Sequence, residues 1–93
     1  MTDYGIDCGS NLTIDRAEEF LGQLRCVPVE VSNVTLGTEA LERVDAAGLQ
    51  ILIAFFKEAR RRGMTVSCEQ PSKVLIEAAR LLGLSEELGL SRY

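Results

Sequence analysis

The centre of the chain has the pattern of one long helix whose two ends are both marked. Residues 49–56 are almost wholly apolar, and Asp45 stands where a carboxylate can accept a backbone hydrogen bond as an N-cap. Three arginines at 60–62 complement the negative end of the helix dipole. Gly63 follows at the position where a left-handed residue commonly ends a helix. The pattern therefore predicts a helix from the cap Asp45 to Arg62.

The first turn of this predicted helix is unusually bare. Gly48 lies inside the helix, where a glycine costs about 1 kcal/mol relative to alanine. The two residues before it, Ala46 and Ala47, each have only a methyl group as side chain. A bare helix start offers free N–H groups and a positive dipole end, which suit an anion or a closely packed partner. Tight packing of the helix on a sheet is the other explanation, and the spacing alone favours it.

Alternation of apolar and polar residues predicts the strands. Residues 4–8, 27–31 and 65–69 each alternate with a period of two, which is typical of a half-buried strand. A turn signal precedes residues 12–14, which we expect to form a short second strand that closes a hairpin. Residues 33–40 are predicted to be a loop with weak strand character.

Two further helices are predicted on either side of the central one. An apolar stripe with i, i+3, i+4, i+7 spacing indicates a helix that is capped by Asp15 and ends near Arg25. Pro71 fits the first turn of a last helix, which ends at Gly83. A strand on either side of the central helix forms a βαβ unit, whose crossover should be right-handed.

These elements predict a single α/β domain spanning residues 1–93. We expect a four- or five-stranded mixed sheet with helices packed mainly on one face. An apolar share of 46 % is enough for one core, and because aromatic residues are only 5 % of the chain, that core must be aliphatic. The predicted core residues are Ile6, Phe20, Leu24, Val29, Val31, Leu49, Leu52, Ile53, Phe56, Val66, Leu75, Ala79 and Leu82.

Composition narrows the possible functions. The net charge of −4 disfavours nucleic acid or an anionic membrane surface as a partner. The chain has no histidine, which removes the commonest general base and the commonest metal ligand. It also has neither a glycine-rich phosphate loop nor a G-x-S-x-G motif. We therefore predict a binding module rather than an enzyme, with no metal and no cofactor.

The sequence also predicts the cellular compartment. The first residues lack the basic and apolar regions of a signal peptide, and no apolar run approaches the roughly 20 residues of a membrane span. Cys8, Cys26 and Cys68 form no C-x-x-C pair. These features predict a reduced, cytoplasmic protein whose cysteines are small core hydrophobes.

The motif D-A-A-G-L at 45–49 resembles the STAS family, the sulfate-transporter and anti-sigma-factor-antagonist domain. In that family a strand leads into D-S-A-G-L or D-T-A-G-L, followed by an apolar helix, a glycine, a strand and a final helix. Residues 50–62, Gly63 and residues 65–69 follow here with the same order and spacing. Residues 71–90 are similar to the family's closing segment, so the resemblance covers nearly the whole chain.

Two departures from the family pattern bear on function. Ala46 stands where the family has a phosphorylatable serine or threonine, and residues 33–40 form a longer link into the motif. Phosphate at a helix start adds close to two negative charges where a partner must dock, and alanine cannot carry it. The nearby hydroxyls of Ser32, Thr35 and Thr38 are weak candidates for a relocated site.

The resemblance implies a regulatory protein of bacterial signal transduction, similar to an anti-sigma-factor antagonist (anti-anti-sigma factor) in transcription regulation. It would bind a protein partner, such as a kinase-like anti-sigma factor, without the phosphorylation switch. The alternative is a STAS subunit of a chemotaxis signalling complex or of a lipid-asymmetry ABC transporter. The sequence leaves the oligomeric state open. The partner-binding residues that the resemblance implies are Thr13, Asp45, Ala46, Ala47, Gly48 and Leu49.

Overall fold

The computed structural model describes residues 3–93, and within them five strands and three helices alternate along the chain. The α/β class predicted from the sequence is confirmed. A single turn of 3-10 helix, Ile14–Arg16, precedes the first α-helix. The elements are β1 (Asp3–Asp7), β2 (Asn11–Leu12), α1 (Ala17–Arg25), β3 (Asn33–Gly37), β4 (Arg43–Val44), α2 (Ala46–Arg61), β5 (Thr65–Glu69) and α3 (Lys73–Leu81).

The main sheet has three strands in the order β1-β3-β5, all parallel. Burial alternates along each strand, so one face of the sheet packs on the helices and the other face is open. The covered face carries two rows of side chains: Tyr4, Val34 and Val66, and then Ile6, Leu36 and Cys68. The helices therefore lie mainly on one face, as predicted.

The five strands agree with the expected number, but their pairing differs in detail from one mixed sheet. β2 and β4 form a separate parallel pair, in which Asn11 lies beside Arg43. The predicted hairpin at 12–14 is therefore wrong. The carbonyl oxygen of Ser10 accepts the N–H groups of both Glu42 (2.7 Å) and Arg43 (3.1 Å), which brings β2 to β4 rather than back to β1.

The two outer helices start differently from the prediction. Asp15 lies inside the 3-10 turn and does not cap α1, since the N-cap position is occupied by Arg16, whose side chain makes no capping bond. At α3 the cap is Ser72, whose hydroxyl oxygen accepts the N–H of Leu75 at 3.1 Å. Pro71 stands just before this cap, outside the first turn.

The segment between α1 and β4 corrects two predictions. Residues 27–31 form a turn and not a strand, with the N–H of Val31 donating to the carbonyl oxygen of Pro28 at 3.2 Å. Val29 is 86 % exposed, so it is not a core residue. The loop predicted for 33–40 is wrong over its first five residues, because β3 is the central strand of the sheet, with parallel partners on both sides.

The core joins all three helices to the sheet. Of the thirteen predicted core residues, ten are buried and three are not: Val29, Val66 and Leu82. Val66 is half-buried because β5 is an edge strand, and Leu82 is exposed because it lies beyond the end of α3. The rings of Phe20 and Phe55 pack edge to face at 5.4 Å and connect α1 to α2.

The three cysteines have three different environments. Cys8 is buried and Cys68 is half-buried, which fits the predicted role as small hydrophobes. Cys26 is exposed at the C-terminal end of α1, so its assignment to the core is wrong. All three thiols are free.

Candidate partner-binding site

The start of α2 is built around the carboxylate of Asp45. One oxygen, Oδ1, accepts the N–H of Gly48 at 2.6 Å, which is the N-cap bond that the sequence predicts. The other, Oδ2, accepts the N–H of Ile14 at 3.4 Å. The backbone N–H of Asp45 donates to the carbonyl oxygen of Leu12 at 3.2 Å. Asp45 therefore connects the start of α2 to the turn that follows β2.

Gly48 lies against this same turn. A Cβ atom at position 48 would come within 3.1 Å of the Thr13 nitrogen and would overlap the carbonyl group of Leu12. The packing explanation of the bare helix start therefore holds for Gly48. Ala46 and Ala47 lie in the same first turn of α2, between the cap Asp45 and Gly48.

The predicted site residues separate into an exposed group and a buried group. Asp45 and Ala46 are exposed, and Thr13 and Ala47 are half-buried. Gly48 and Leu49 are buried, so they position the helix rather than present side chains to a partner. Ile14, which is 64 % exposed, joins the exposed group. We name this group the α2-start surface, and it consists of Thr13, Ile14, Asp45, Ala46 and Ala47.

The α2-start surface is small, bare and partly apolar. Among residues 3–93 the N–H groups of Ala46 and Ala47 have no hydrogen-bond partner in the chain. The first turn of α2 contains no acidic residue to complement the helix dipole. The first turn of α2 therefore presents free donors. Ile14, whose N–H binds the Asp45 carboxylate, presents an exposed apolar side chain, and both features can contact another protein.

Sequence reasoning missed Ile14. It was predicted to be in a short strand, whereas it begins the 3-10 turn, and its side chain points to solvent. The signal available in the sequence was that Ile14 falls outside the apolar stripe of α1. Its proximity to Asp45 depends on the pairing of β2 with β4, which no local pattern reveals.

The hydroxyl groups near the motif differ in accessibility. Thr38 is 0 % exposed, and its hydroxyl donates to the carbonyl oxygen of Glu69 at 3.2 Å. A kinase therefore cannot reach it in the folded protein. Ser32 and Thr35 are half-buried.

In the part of the chain from Asp3 onward, no three His, Cys, Asp or Glu side chains come together as metal ligands would. Within the same residues, no helix has both the length and the apolar character needed to cross a bilayer.

Comparison with known proteins identifies the family. A family model described as "Mlab, STAS domain" matches residues 4–90. The chain belongs to the STAS domain family. No curated protein matches the sequence significantly.

Two solved structures have the same fold. One is a sulfate transporter family protein from Wolinella succinogenes, with a TM-score of 0.81 and 19 % identity over 97 % of this chain and 72 % of that one. The other is the anti-sigma factor antagonist SpoIIAA in its unphosphorylated form, with a TM-score of 0.74 and 14 % identity over 92 % of this chain and 77 % of that one. At these identities the likeness establishes the STAS fold alone.

Proposed function

We propose that this STAS protein is a non-enzymatic regulator, similar to an anti-sigma factor antagonist, that binds a signalling protein through the α2-start surface. We further propose that it does so without a phosphorylation switch. The observation that carries the proposal is the exposed, uncharged Ala46 directly after the helix cap. The predicted single-domain organisation and cytoplasmic location are part of this proposal.

Alanine at this position has a definite physical consequence. A phosphoserine at a helix start carries between about 1.5 and 2 negative charges, which a docking partner would have to accommodate. Alanine is close to an unmodified serine in size and in charge. Ala46 should therefore hold the surface permanently in the binding-competent state. One of the two similar solved structures is that of an anti-sigma factor antagonist, a regulator of the kind proposed here.

The test uses one substitution at two exposed alanines of the same helix. Ala46→Asp introduces a charge at the centre of the α2-start surface, and Ala54→Asp introduces the same charge two turns further along α2. Each tagged variant, and the parent, is used to capture proteins from the native host, followed by mass spectrometry. We expect the parent and Ala54→Asp to retain the same signalling protein and Ala46→Asp to lose it, because an unpaired charge would be buried at the interface.

Stability must be measured beside capture. The helix tolerates an acidic residue in its first turn, where the dipole favours it by about 0.3–1 kcal/mol. The melting temperature of Ala46→Asp should therefore stay close to that of the parent. If Ala46→Asp captures the partner as well as the parent does, the α2-start surface is not the docking site and the proposal fails.

The alternative is a STAS subunit of a chemotaxis signalling complex or of a lipid-asymmetry ABC transporter. A transporter setting agrees with the similarity in fold to a sulfate transporter family protein. The captured partner discriminates between the settings. A small kinase-like anti-sigma factor supports the regulator, whereas a transporter ATPase or a chemotaxis protein supports the alternative. Ala46→Asp should abolish capture in either case, since both use the same surface.

A further inference from the structure

A groove runs along the outer edge of β1, on the opposite side from β3. It has a volume of about 490 Å³ and lies between the edge strand and α1. Its lining on α1 follows i, i+3, i+4, i+7 spacing, so a single stripe of the helix faces the strand. The groove shares no residue with the α2-start surface. Its lining residues are Tyr4, Gly5, Ile6, Asp7, Glu19, Gly22, Gln23 and Cys26.

The strand side of the groove offers unpaired backbone groups. The N–H of Cys8 donates to the carbonyl oxygen of Gly37, so Cys8 directs its N–H toward β3. Backbone groups of successive strand residues point to opposite edges. Gly5 and Asp7 therefore direct their N–H and C=O groups to the outer edge, where β1 has no neighbouring strand among residues 3–93. An edge strand with a row of unpaired N–H and C=O groups is a template on which a further strand can pair.

The helix side of the groove supplies space and an acceptor. Gly22 lies in the interior of α1, where it costs about 1 kcal/mol relative to alanine. A Cβ at position 22 would meet no atom within 4 Å, so packing within the chain does not require this glycine. Beside it, the side-chain oxygen Oε1 of Gln23 is buried and accepts no hydrogen bond from the part of the chain that the structure describes. A buried acceptor without a donor is costly.

The charges at the edge determine what kind of segment fits. Asp3 and Asp7 are exposed on the open face of the sheet, four residues apart. In a two-fold pair of β1 strands centred on Gly5, Asp3 of each copy would lie opposite Asp7 of the other. Like charges directly opposite each other destabilise a strand pair, so a second copy of this chain is disfavoured. A segment with basic residues at the same spacing is favoured instead.

We propose that this groove binds an extended segment of a partner protein, which adds to the sheet as a further strand beside β1. The segment has the pattern basic-apolar-polar-apolar-basic. Its basic side chains lie beside Asp3 and Asp7 on the open face, and its apolar side chains face Gly22 and Gln23 on the covered side. Main-chain hydrogen bonds to Gly5 and Asp7 hold it in register, as in other cases of strand addition.

The first experiment titrates the full chain with an acetylated, amidated peptide of sequence S-K-V-T-V-K-S, followed by NMR. We expect the amide signals of Gly5, Asp7 and Gln23 to shift, while those of Ala46 and Ala47 stay unchanged. The control peptide S-E-V-T-V-E-S should bind at least roughly tenfold more weakly, because its charges repel the two aspartates. Absence of shifts with the lysine peptide up to about 1 mM would overturn the proposal.

The second experiment uses calorimetric titration with a matched pair of variants. Gly5→Pro removes an N–H that points outward, which an edge strand tolerates, while Gly5→Ala keeps that N–H and meets no atom within 4 Å. We expect Gly5→Ala to bind like the parent and Gly5→Pro to lose about tenfold in affinity. If Gly5→Pro does not fold, Gly22→Leu fills the groove from the helix side, and it should weaken binding similarly.

Two results would contradict the proposal. Equal affinity of the lysine peptide for the parent, Gly5→Pro and Gly22→Leu would place the peptide elsewhere. A concentration-dependent dimer in sedimentation that Gly5→Pro abolishes would assign the edge to a second copy of the chain instead.

Discussion

The first turn of α2 contacts the backbone of β2 directly: a Cβ on Gly48 would lie 1.9 Å from the carbonyl oxygen of Leu12. No real Cβ approaches an oxygen so closely. The backbone fixes the position of both the Cβ and the carbonyl oxygen, so neither atom can rotate away. This contact explains why the helix contains a glycine where alanine would be intrinsically better by about 1 kcal/mol. It also fixes the first turn of α2 against the turn that carries Ile14.

Gly48→Ala should therefore destabilise the protein despite its better helix propensity. We expect a loss of about 3 kcal/mol in the free energy of unfolding, since forcing the segments apart disturbs the packing of both. Gly22→Ala in α1 is the matched control. Because its Cβ meets no atom within 4 Å, it should be stabilising by up to about 1 kcal/mol. Urea denaturation of both variants measures the difference, and equal stabilities would show that the close contact is not maintained.

The carboxylate of Asp45 should contribute mainly through its cap bond. Asp45→Ala removes the acceptor for the Gly48 N–H, which we expect to cost about 1–2 kcal/mol. Asp45→Asn keeps an acceptor oxygen and loses only the charge, so it should retain more than half of this contribution. The bond to Ile14 is longer, at 3.4 Å, and should add little. Thermal unfolding in low salt compares the three proteins, and an Asn variant as unstable as the Ala variant would mean that charge is the dominant effect.

Arg16 should stabilise the turn that joins β1 to β2. Its Nη1 donates to the carbonyl oxygens of Cys8 and Asn11, both at 2.9 Å, and closes this turn. Charge-assisted hydrogen bonds of this kind contribute more than neutral ones, so Arg16→Ala should cost about 2 kcal/mol. Glu19→Ala removes only the exposed ion-pair partner of Arg16 and should change stability by less than about 0.5 kcal/mol. Chemical denaturation measures the free energy of unfolding of both variants. If Glu19→Ala loses as much stability as Arg16→Ala, then Arg16 stabilises the protein through its ion pair and not through the turn.

The sequence was most informative where several local signals agreed. The central helix had a cap, an apolar body and a terminating glycine, and the structure places α2 from Ala46 to Arg61 with Gly63 at φ +81°. The strand after it, β5, has the predicted bounds. Both elements depend on local physics, namely caps, dipole and conformational freedom, which can be deduced from neighbouring residues.

The segment before β4 could not be assigned in the same way. Apolar residues occupy odd positions from Val27 to Val31 and then even positions at Val34 and Leu36, so the phase changes at Ser32. Both series have the period of a strand. Only the second finds parallel neighbours on both sides, in β1 and β5, and tertiary pairing therefore decides between them. The contact of Ile14 with Asp45 was missed for the same reason, because it depends on pairing between distant segments.

The thiols should differ strongly in reactivity toward a disulfide reagent. Burial raises the pKa of Cys8 to about 11 and that of Cys68 to about 12, so both remain protonated at neutral pH. Only the thiolate reacts, and access to Cys8 is also blocked. Cys26 is exposed. We expect one fast thiol in the native protein, three in denaturant, and no fast thiol in Cys26→Ser. Two fast thiols in the native parent would contradict this assignment.

The same two thiols should make stability fall at alkaline pH. In the unfolded chain a cysteine loses its proton near its ordinary pKa of about 8.5. In the folded protein, desolvation raises the pKa of Cys8 to about 11 and of Cys68 to about 12. At pH values between the unfolded-state pKa and the folded-state pKa, the folded protein retains protons that the unfolded chain has released. Rising pH therefore favours unfolding in this range. The free energy of unfolding should therefore be insensitive to these thiols below pH 8 and should decline above about pH 9.

A double variant, Cys8→Ala with Cys68→Ala, isolates this contribution from that of the other groups that titrate at high pH. Each thiol that is protonated in the folded state and ionised in the unfolded state lowers the free energy of unfolding by about 1.4 kcal/mol per pH unit. The double variant should start less stable at pH 7, because the packing of one buried and one half-buried sulfur atom is lost. Its stability should nevertheless decline less steeply between pH values of about 9 and 11. Urea denaturation across this range measures both slopes. Parallel slopes for the parent and the double variant would show that the two thiols titrate alike in the folded and unfolded states, and that desolvation does not hold their protons.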